Sequence, residues 1–260
     1  MTILDRLAEH ARERVAASKN TIPLKAMQAQ ALSLPKGDLR FEKALKGDGV
    51  SFICECKKAS PSKGVIAGHY PYAEIAKAYE KAGADCISVL TEPKWFLGSA
   101  DHLKEIAASV GIPVLRKDFT VDPYMIFEAK TLGASAVLLI CAILERQEME
   151  EYLAICDELG LSALVEAHDE HEIETALRIN ARVIGVNNRN LRDFSMDFSN
   201  SANLRSMVPD EVAFVSESGV KTRGDVVGLE RIGVDAVLVG ETLMRAADKT
   251  AMLRELRYGK

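Results

Sequence analysis

Short apolar runs alternate with helical patterns along most of this chain, and the alternation restricts its fold more than any other feature. Three segments are alike: GADCISVL from Gly83, GASAVLLI from Gly133 and GVDAVLVG from Gly233. In each, a glycine suited to closing a helix precedes a small polar turn and a continuous aliphatic run. Uninterrupted apolar runs of this length are typical of strands buried on both faces of a parallel sheet.

Eight such runs predict the fold class. They span residues 50–56, 86–90, 113–118, 136–141, 162–167, 183–188, 213–218 and 236–240. The stretches between them carry helical periodicity, as in YAEIAKAYEKAG, where one stripe holds Ile75, Ala78, Tyr79 and Ala82. Eight strand–helix units predict an α/β fold, a closed (β/α)8 TIM barrel. The alternative is an open doubly wound sheet, which is expected to carry a G-x-G-x-x-G turn that this sequence lacks after its first strand.

Residues 1–48 precede the first predicted strand and contain two helical patterns, ILDRLAEHARERVAAS and LRFEKAL. This segment is too short and too polar to build a core of its own. We therefore predict one barrel domain over residues 1–260, with residues 1–48 as a helical extension packed on the barrel.

Charge, hydropathy and cysteine content narrow the class of protein. The formal net charge is −5, whereas nucleic-acid-binding proteins usually carry a basic excess. No apolar run reaches the roughly 18–20 residues that a membrane span needs, and the N-terminus has no apolar signal-peptide core. We expect a cytoplasmic protein with buried free thiols, because no C-x-x-C pair occurs among the five cysteines, Cys54, Cys56, Cys86, Cys141 and Cys156.

Polar residues stand where the predicted strands end, and barrel enzymes carry their active sites at that edge. In chain order they are Glu55, Lys57, Lys117, Glu166, Asn187, Arg189, Ser216, Ser218, Gly240 and Glu241. Because side chains alternate along a strand, Glu55 and Lys57 share one face, and Cys54 and Cys56 occupy the other. A charge that faces the barrel interior is costly unless it is paired. One such pair could be structural, but several converging charges indicate a functional site.

Glycines in the last two units indicate what the site binds. SESGV and LVGET place Gly219 and Gly240 where a strand turns into its helix. Backbone N–H groups in these loops commonly bind phosphate in this fold, although each glycine could serve only as a turn. The pair of loops predicts a phosphate site.

Two further groups of residues have both a functional and a structural interpretation. His168 and His171 could suggest a metal site, but their spacing matches no standard zinc pattern and the nearby carboxylates suit a helix N-terminus, so we predict no metal. Trp95 and Phe96 follow the second strand, and Phe119 follows the third. They could be simple packing residues, or they could wall a pocket for an aromatic ligand.

The motifs ECKKASPSKG, VLRKDF, LVEAH, GVNNRNL, SESGV and LVGETLM resemble, in order and spacing, those of the indole-3-glycerol phosphate synthase family of tryptophan biosynthesis. ILDRL and LRFEKAL resemble the extra N-terminal helices of that family. The resemblance implies decarboxylation, ring closure and dehydration of 1-(2-carboxyphenylamino)-1-deoxyribulose 5-phosphate to indole-3-glycerol phosphate, CO2 and water. It implies no cofactor and no metal, a small sugar-phosphate substrate bearing an anthranilate ring, a monofunctional monomer, and neither nucleic-acid nor membrane partners.

The resemblance also implies roles for individual residues. Lys117 is the general acid of ring closure, and the other catalytic residues are Glu55, Lys57, Glu166 and Asn187. Substrate binding falls to Ser60, Pro61, Phe96, Phe119, Leu138, Arg189, Ser218, Gly219, Leu238, Gly240 and Glu241. Within that set, Arg189 and Ser60 lie near the anthranilate carboxylate. Glu241 binds phosphate through its N–H only, because its side chain should point away from an anion.

Two other functions remain open on the residues alone. A sugar-phosphate isomerase such as phosphoribosylanthranilate isomerase would share the phosphate loops, but it is expected to use a Cys/Asp pair rather than Glu55 and Lys57. A non-catalytic sugar-phosphate-binding protein would have no need of Lys117 and both glutamates. Residues 58–69, with Gly64 and Gly68, are predicted to form a mobile loop that closes over the substrate.

Overall fold

Eight parallel strands close into a barrel in the computed structural model, which describes residues 2–190 and 195–259. Around the barrel the strand order is β1-β10-β9-β8-β7-β6-β5-β4, and β2 and β3 form a separate antiparallel hairpin. In chain order the strands are β1 (Ser51–Cys56), β2 (Ala59–Ser60), β3 (Gly64–Val65), β4 (Cys86–Leu90), β5 (Val114–Lys117), β6 (Ala136–Ile140), β7 (Ser162–Ala167), β8 (Val183–Asn187), β9 (Ala213–Glu217) and β10 (Ala236–Val239). The predicted (β/α)8 barrel is confirmed.

Helices precede the barrel and follow its strands. They are α1 (Ile3–Thr21), α2 (Leu24–Ser33), α3 (Arg40–Leu45), α4 (Tyr72–Ala82), α5 (Ala100–Ser109), α6 (Pro123–Thr131), α7 (Arg146–Leu159), α8 (Glu170–Arg178), α9 (Ser199–Arg205), α10 (Arg223–Arg231), α11 (Glu241–Arg245) and α12 (Lys249–Tyr258), with a 3-10 turn at Cys141–Ile143. None of those in residues 2–190 and 195–259 has the length and apolar character needed to cross a membrane.

The glycines that mark the three similar segments close their helices as predicted. Gly83, Gly133 and Gly233 have φ angles of 99°, 86° and 77°, in the left-handed region that a side chain disfavours. In α4 the buried face holds Ile75, Ala76 and Tyr79, so Ala76 takes the buried place that the periodicity had given to Ala78.

The N-terminal segment contains three helices rather than the two that the sequence patterns indicated. The additional helix, α2, packs on α6 and buries Met27 and Ala31. Salt bridges fasten α1 to the barrel, because Arg14 pairs with Asp118 and Lys19 pairs with Asp122. The segment therefore lies against the loops that follow β5.

Candidate active site

One cavity of about 460 Å³ lies at the carboxyl ends of the barrel strands, and its lining contains every residue predicted to be catalytic or substrate-binding. They are Glu55, Lys57, Ser60, Pro61, Phe96, Lys117, Phe119, Leu138, Glu166, Asn187, Arg189, Ser218, Gly219, Leu238, Gly240 and Glu241. Ser216 is different, because its buried hydroxyl hydrogen-bonds with Ser201 and Asn188 and does not line the cavity.

Lys117, at the end of β5, lies between two carboxylates. Its Nζ donates a hydrogen bond of 2.8 Å to Glu166 Oε2 and lies 3.1 Å from Glu217 Oε2. Burial alone would lower the pKa of Lys117, but the charges of Glu166 and Glu217 raise it above its usual range. The ammonium therefore stays charged, and it can release a proton only when a strong base develops next to it.

The two carboxylates beside Lys117 differ in acidity. Burial would raise the pKa of Glu166, but the charges of Lys117 and His168 lower it to about 2. For Glu217, burial and the charge of Glu166 outweigh Lys117, and its pKa is raised to about 7. Two carboxylates that share one cation in a buried site do not both ionise easily. The carboxyl proton that is lost near neutral pH therefore belongs to the pair of carboxylates, while Lys117 keeps its own.

Glu217 was not among the predicted site residues. The prediction singled out Ser216 and Ser218 at the end of this strand. Glu217 lies between them in the sequence and points to the opposite face of the strand from Ser216, and it is the residue that faces Lys117. Ser218 also reaches the cavity because it follows the strand with a φ of 69°, which breaks the alternation. Gly185 of β8 makes room for Glu217, since a Cβ at that position would overlap Oε1 of the carboxylate. The signal available in the sequence was the position of Glu217 itself, a glutamate at the end of an otherwise largely apolar strand.

Glu55 and Lys57 project from the end of β1 and form a salt bridge with each other. Both side chains are shielded, with exposed fractions of 6% and 16%. Gly240, after β10, passes so close that a Cβ there would overlap Glu55 Oε2 and stand 3.1 Å from Lys57 Nζ. The pair is thus pressed against the loop that was predicted to bind phosphate. Cys54 and Cys56 lie on the opposite, buried face as expected, and burial raises the pKa of both thiols.

Asn187, at the end of β8, connects the surroundings of Glu166 with the backbone of Arg189 and the hydroxyl of Ser218. Its Oδ1 accepts hydrogen bonds of 3.0 Å from the Arg189 N–H and from the Ser218 hydroxyl. Because Oδ1 accepts both bonds, the NH2 group is left as the donor of the amide, and its interaction with Glu166 lowers the pKa of that carboxyl. The amide thus helps to keep Glu166 ionised.

The predicted phosphate end of the cavity contains several cations around Glu241. Its carboxylate lies 3.0 Å from Arg245, 3.9 Å from Lys63 and 4.0 Å from Arg189. Lys63 belongs to the predicted mobile loop, so charges from three separate segments meet here. These cations can offset the charge of a bound dianion. The sequence prediction had named only Arg189 among them, and it had placed that residue near the anthranilate carboxylate.

Aromatic side chains line the cavity near the end of β4. The rings of Phe96 and Phe119 have centroids 6.1 Å apart. The loop that carries Phe96 is organised by the buried carboxylate of Glu92, which accepts the backbone N–H groups of Lys94, Trp95 and Phe96 at 2.7–3.1 Å. Trp95 does not line the cavity; its ring packs against His10 of α1.

Helix α1 supplies part of the cavity wall, which the sequence did not predict. Ile3, Leu4 and Leu7 line the cavity. Their helix is held by Arg14, which donates two hydrogen bonds of 2.7 and 3.1 Å to the buried carboxylate of Asp118. Asp118 is the next residue in the chain after Lys117. The apolar stripe of α1 shows in the sequence that one face of the helix is buried. It does not show which part of the protein that face packs against.

No group of three or more His, Cys, Asp or Glu side chains that could hold a metal ion occurs in residues 2–190 and 195–259. His168 and His171 do not converge: His171 is exposed, whereas His168 is partly buried between Glu166 and Glu172.

A sequence model of the family described as indole-3-glycerol phosphate synthase matches residues 4–256 of the chain. The chain belongs to the indole-3-glycerol phosphate synthase family. Among its relatives, the indole-3-glycerol phosphate synthase of Ruminiclostridium cellulolyticum is 53% identical over 256 residues, which cover 98% of each chain. That of Leuconostoc mesenteroides is 52% identical and covers 99% of this chain and 100% of its own.

Solved structures that resemble this synthase-family chain are far more distant in sequence. A thiamine phosphate pyrophosphorylase from Pyrococcus furiosus superposes with a TM-score of 0.61 at 15% identity, over 84% of this chain and 96% of its own. An N-acetylmannosamine-6-phosphate 2-epimerase from Clostridium perfringens gives 0.60 at 14% identity, over 78% and 90%. At this identity the likeness concerns the barrel fold alone, whereas the family match extends through all six motifs of the cavity.

Proposed function

We propose that this chain carries out the reaction of its family, the conversion of 1-(2-carboxyphenylamino)-1-deoxyribulose 5-phosphate to indole-3-glycerol phosphate, CO2 and water, with Lys117 as the acid of ring closure. The observation that carries the proposal is the placement of the Lys117 ammonium between Glu166 and Glu217 at the cavity floor. The substrate class, a small sugar phosphate, follows from family membership.

The cavity suits the three parts of that substrate. The phosphate binds at Ser218, Gly219, Gly240 and the Glu241 N–H, and the cations nearby offset its charge. The anthranilate carboxylate faces Arg189 and Ser60, because a guanidinium fork matches a carboxylate. The aromatic ring packs between Phe96, Phe119 and Leu138, with Pro61 and Leu238 on its borders. Asn187 hydrogen-bonds the sugar hydroxyls. These contacts hold the ring against the ribulose carbonyl, which is where the new bond forms.

In the first step the ring carbon that bears the carboxylate attacks the C2′ carbonyl, and Lys117 donates a proton to the carbonyl oxygen. The C–C bond forms as the carbonyl π bond breaks. Loss of CO2 then returns the electron pair to the ring and restores its aromaticity. The high pKa of Lys117 matches this role, since the developing alkoxide is a stronger base than the amine.

Dehydration then needs an acid for the departing hydroxyl and a base for the anilinic proton. We assign these roles to Lys57 and Glu55, because a charged ammonium can only donate and a carboxylate can only accept. Their salt bridge holds both groups at one place, so water leaves and the proton is taken up on neighbouring atoms. Glu166 and Glu217 keep Lys117 charged between turnovers.

The test is an assay with the purified protein and its proposed substrate, with chelator and without added metal, followed by indole absorbance and fluorescence. Wild-type protein is expected to form indole-3-glycerol phosphate, and Lys117→Ala is expected to lose about 10²–10⁴-fold or more in kcat. A folded wild type that forms no indole would contradict the proposed function. An isomerase would turn over phosphoribosylanthranilate instead, and a binding protein would retain the substrate unchanged.

We further propose a cytoplasmic monomer without nucleic-acid or membrane partners. The five cysteines support a reducing compartment, since all are free and four are buried. The net charge of −5 supports the lack of a nucleic-acid partner. Sedimentation of the purified protein at several concentrations tests the monomer, and a mass that rises with concentration would contradict it.

A further inference from the structure

His168 lies beside the active site, and the proton transfers described above do not use it. It follows β7, and its ring stands between two carboxylates. Nδ1 is 3.1 Å from Glu172 Oε2, at the start of α8, and Nε2 is 3.5 Å from Glu166 Oε1. Glu172 Oε2 also accepts the backbone N–H of His168 at 2.7 Å, which fixes the ring relative to α8.

The contact with Glu172 determines which ring nitrogen carries a hydrogen. An ionised carboxylate only accepts hydrogen bonds, so Nδ1 must be the donor. In a neutral ring, Nε2 would then direct its lone pair at the carboxylate of Glu166. This nitrogen is buried and makes no hydrogen bond within the described part of the chain. A proton on Nε2 replaces that repulsion by an ion pair with Glu166.

The groups around the ring are mainly acidic. The titratable and charged side chains that face it or stand just beyond are Glu166 from β7, Glu172 from α8, Glu217 from β9, Cys141 from the 3-10 turn and Lys117 from β5. Burial lowers the pKa of His168, but the hydrogen bond to Glu172 and the charges of Glu166 and Glu172 raise it above the usual range. The surroundings therefore favour the imidazolium.

We propose that His168 is a positioning residue which, as a cation braced by Glu172, keeps Glu166 ionised and turns its Oε2 towards Lys117. The inference rests on the proposed function, because it concerns the carboxylate that accompanies the general acid. It also accounts for the unequal acidity of Glu166 and Glu217. The cation stands on the far side of Glu166, so the proton shared by the two carboxylates goes to Glu217.

The first test is the pH dependence of the single-turnover rate constant, which reports the chemical steps, for the wild type, His168→Gln and His168→Lys. The wild-type constant is expected to fall by about tenfold as the pH rises through the pKa of His168. His168→Gln should have the low value throughout and lack that inflection, because it imitates the deprotonated ring. His168→Lys keeps a cation and should retain activity at pH 8. The matched control is His171→Gln, an exposed histidine on the following helix α8, which should keep the wild-type profile.

The second measurement does not depend on turnover. Long-range proton–nitrogen spectra of the histidine rings, with His168 assigned from the signals missing in His168→Gln, should show both ring nitrogens protonated at pH 6. Glu172→Gln should lower the pH at which Nε2 loses its proton. A His168 ring that is neutral at pH 6, or a basic inflection that persists in folded His168→Gln, overturns the proposal. Failure of the wild type to form indole would contradict the proposed function and leave the spectra to decide on His168.

Discussion

Lys117 Nζ lies 3.1 Å from Glu217 Oε2 although it already donates to Glu166 at 2.8 Å. One cation thus serves two buried carboxylates, and Glu217 is the one whose pKa is raised, to about 7. This arrangement has a consequence for stability, because a group that holds its proton more tightly in the folded chain destabilises that chain once the solution pH removes the proton.

We expect Glu217→Gln to be more stable than the wild type at pH 8. The unfolded carboxyl loses its proton near pH 4.5, whereas the folded one does so near 7, so the wild type loses stability as the pH rises through that window. The unfolding free energy of Glu217→Gln relative to that of the wild type should grow by about 1–3 kcal/mol between pH 4.5 and pH 8. Urea unfolding at several pH values measures it, with exposed Glu211→Gln as the control. A difference that shrinks with rising pH would contradict the assignment.

We expect Gly240→Ala to lower kcat by about 10²-fold while the barrel remains folded, because the new methyl group displaces Glu55 and Lys57 from their positions. Gly228→Ala is the matched control. Gly228 lies within α10 with open space around its Cβ position, so the change should leave kcat unaltered and stabilise the helix by about 0.5–1 kcal/mol. Steady-state kinetics and thermal unfolding of both variants test this prediction. An unchanged kcat in Gly240→Ala would contradict the close approach of Gly240 to Glu55 and Lys57.

We expect Arg14→Ala to destabilise the protein by about 3 kcal/mol at pH 7, because the buried Asp118 carboxylate loses its bidentate partner. Arg12→Ala on the same helix removes only an exposed pair with Glu9 and should cost less than about 1 kcal/mol. Asp118 has a lowered pKa, so its pairing stabilises the fold above the unfolded pKa and is lost as the pH falls through the folded one. Equal losses in the two variants would exclude a special role for Arg14.

We expect turnover to decrease as solvent viscosity rises, because closure of the loop at residues 58–69 or release of the product limits kcat. The hairpin of β2 and β3 lies within this loop, and its second strand, Gly64–Val65, is exposed. Sucrose should lower kcat in proportion to relative viscosity, whereas a large polymer, which hardly affects small-scale motion, should not. No response to sucrose would show that a chemical step is limiting.

The residues that could be predicted from sequence are those whose chemistry conflicts with their surroundings. Lys117 and Glu166 are charged groups at the ends of apolar runs, and a charge in such a place indicates a function by its position in the chain. The barrel was predictable for a related reason, since the strand and helix periods alternate without interruption. Gly219 and Gly240, which we predict to bind phosphate, could be placed at the cavity because they follow strands at the end where this fold binds ligands.

Other features depended on distances that a sequence does not contain. The lining by Leu7 depends on where α1 meets the barrel, and the sequence specifies only the apolar face of the helix. Helix α2 was missed because it begins after Pro23 and buries only Met27 and Ala31. Glu217 was missed through the assumption that polar residues on either side of it shared the cavity face. The left-handed backbone at Ser218 breaks that pattern. The sequence did not indicate it, because the residue in that conformation is not a glycine.

The overlap that a side chain at position 185 would make with the Glu217 carboxylate ties the chemistry of one strand to the backbone of the next. A methyl group at that position would push the carboxylate away from its place beside Lys117. The sharing of one cation by two carboxylates therefore depends on a residue that contributes no side chain of its own.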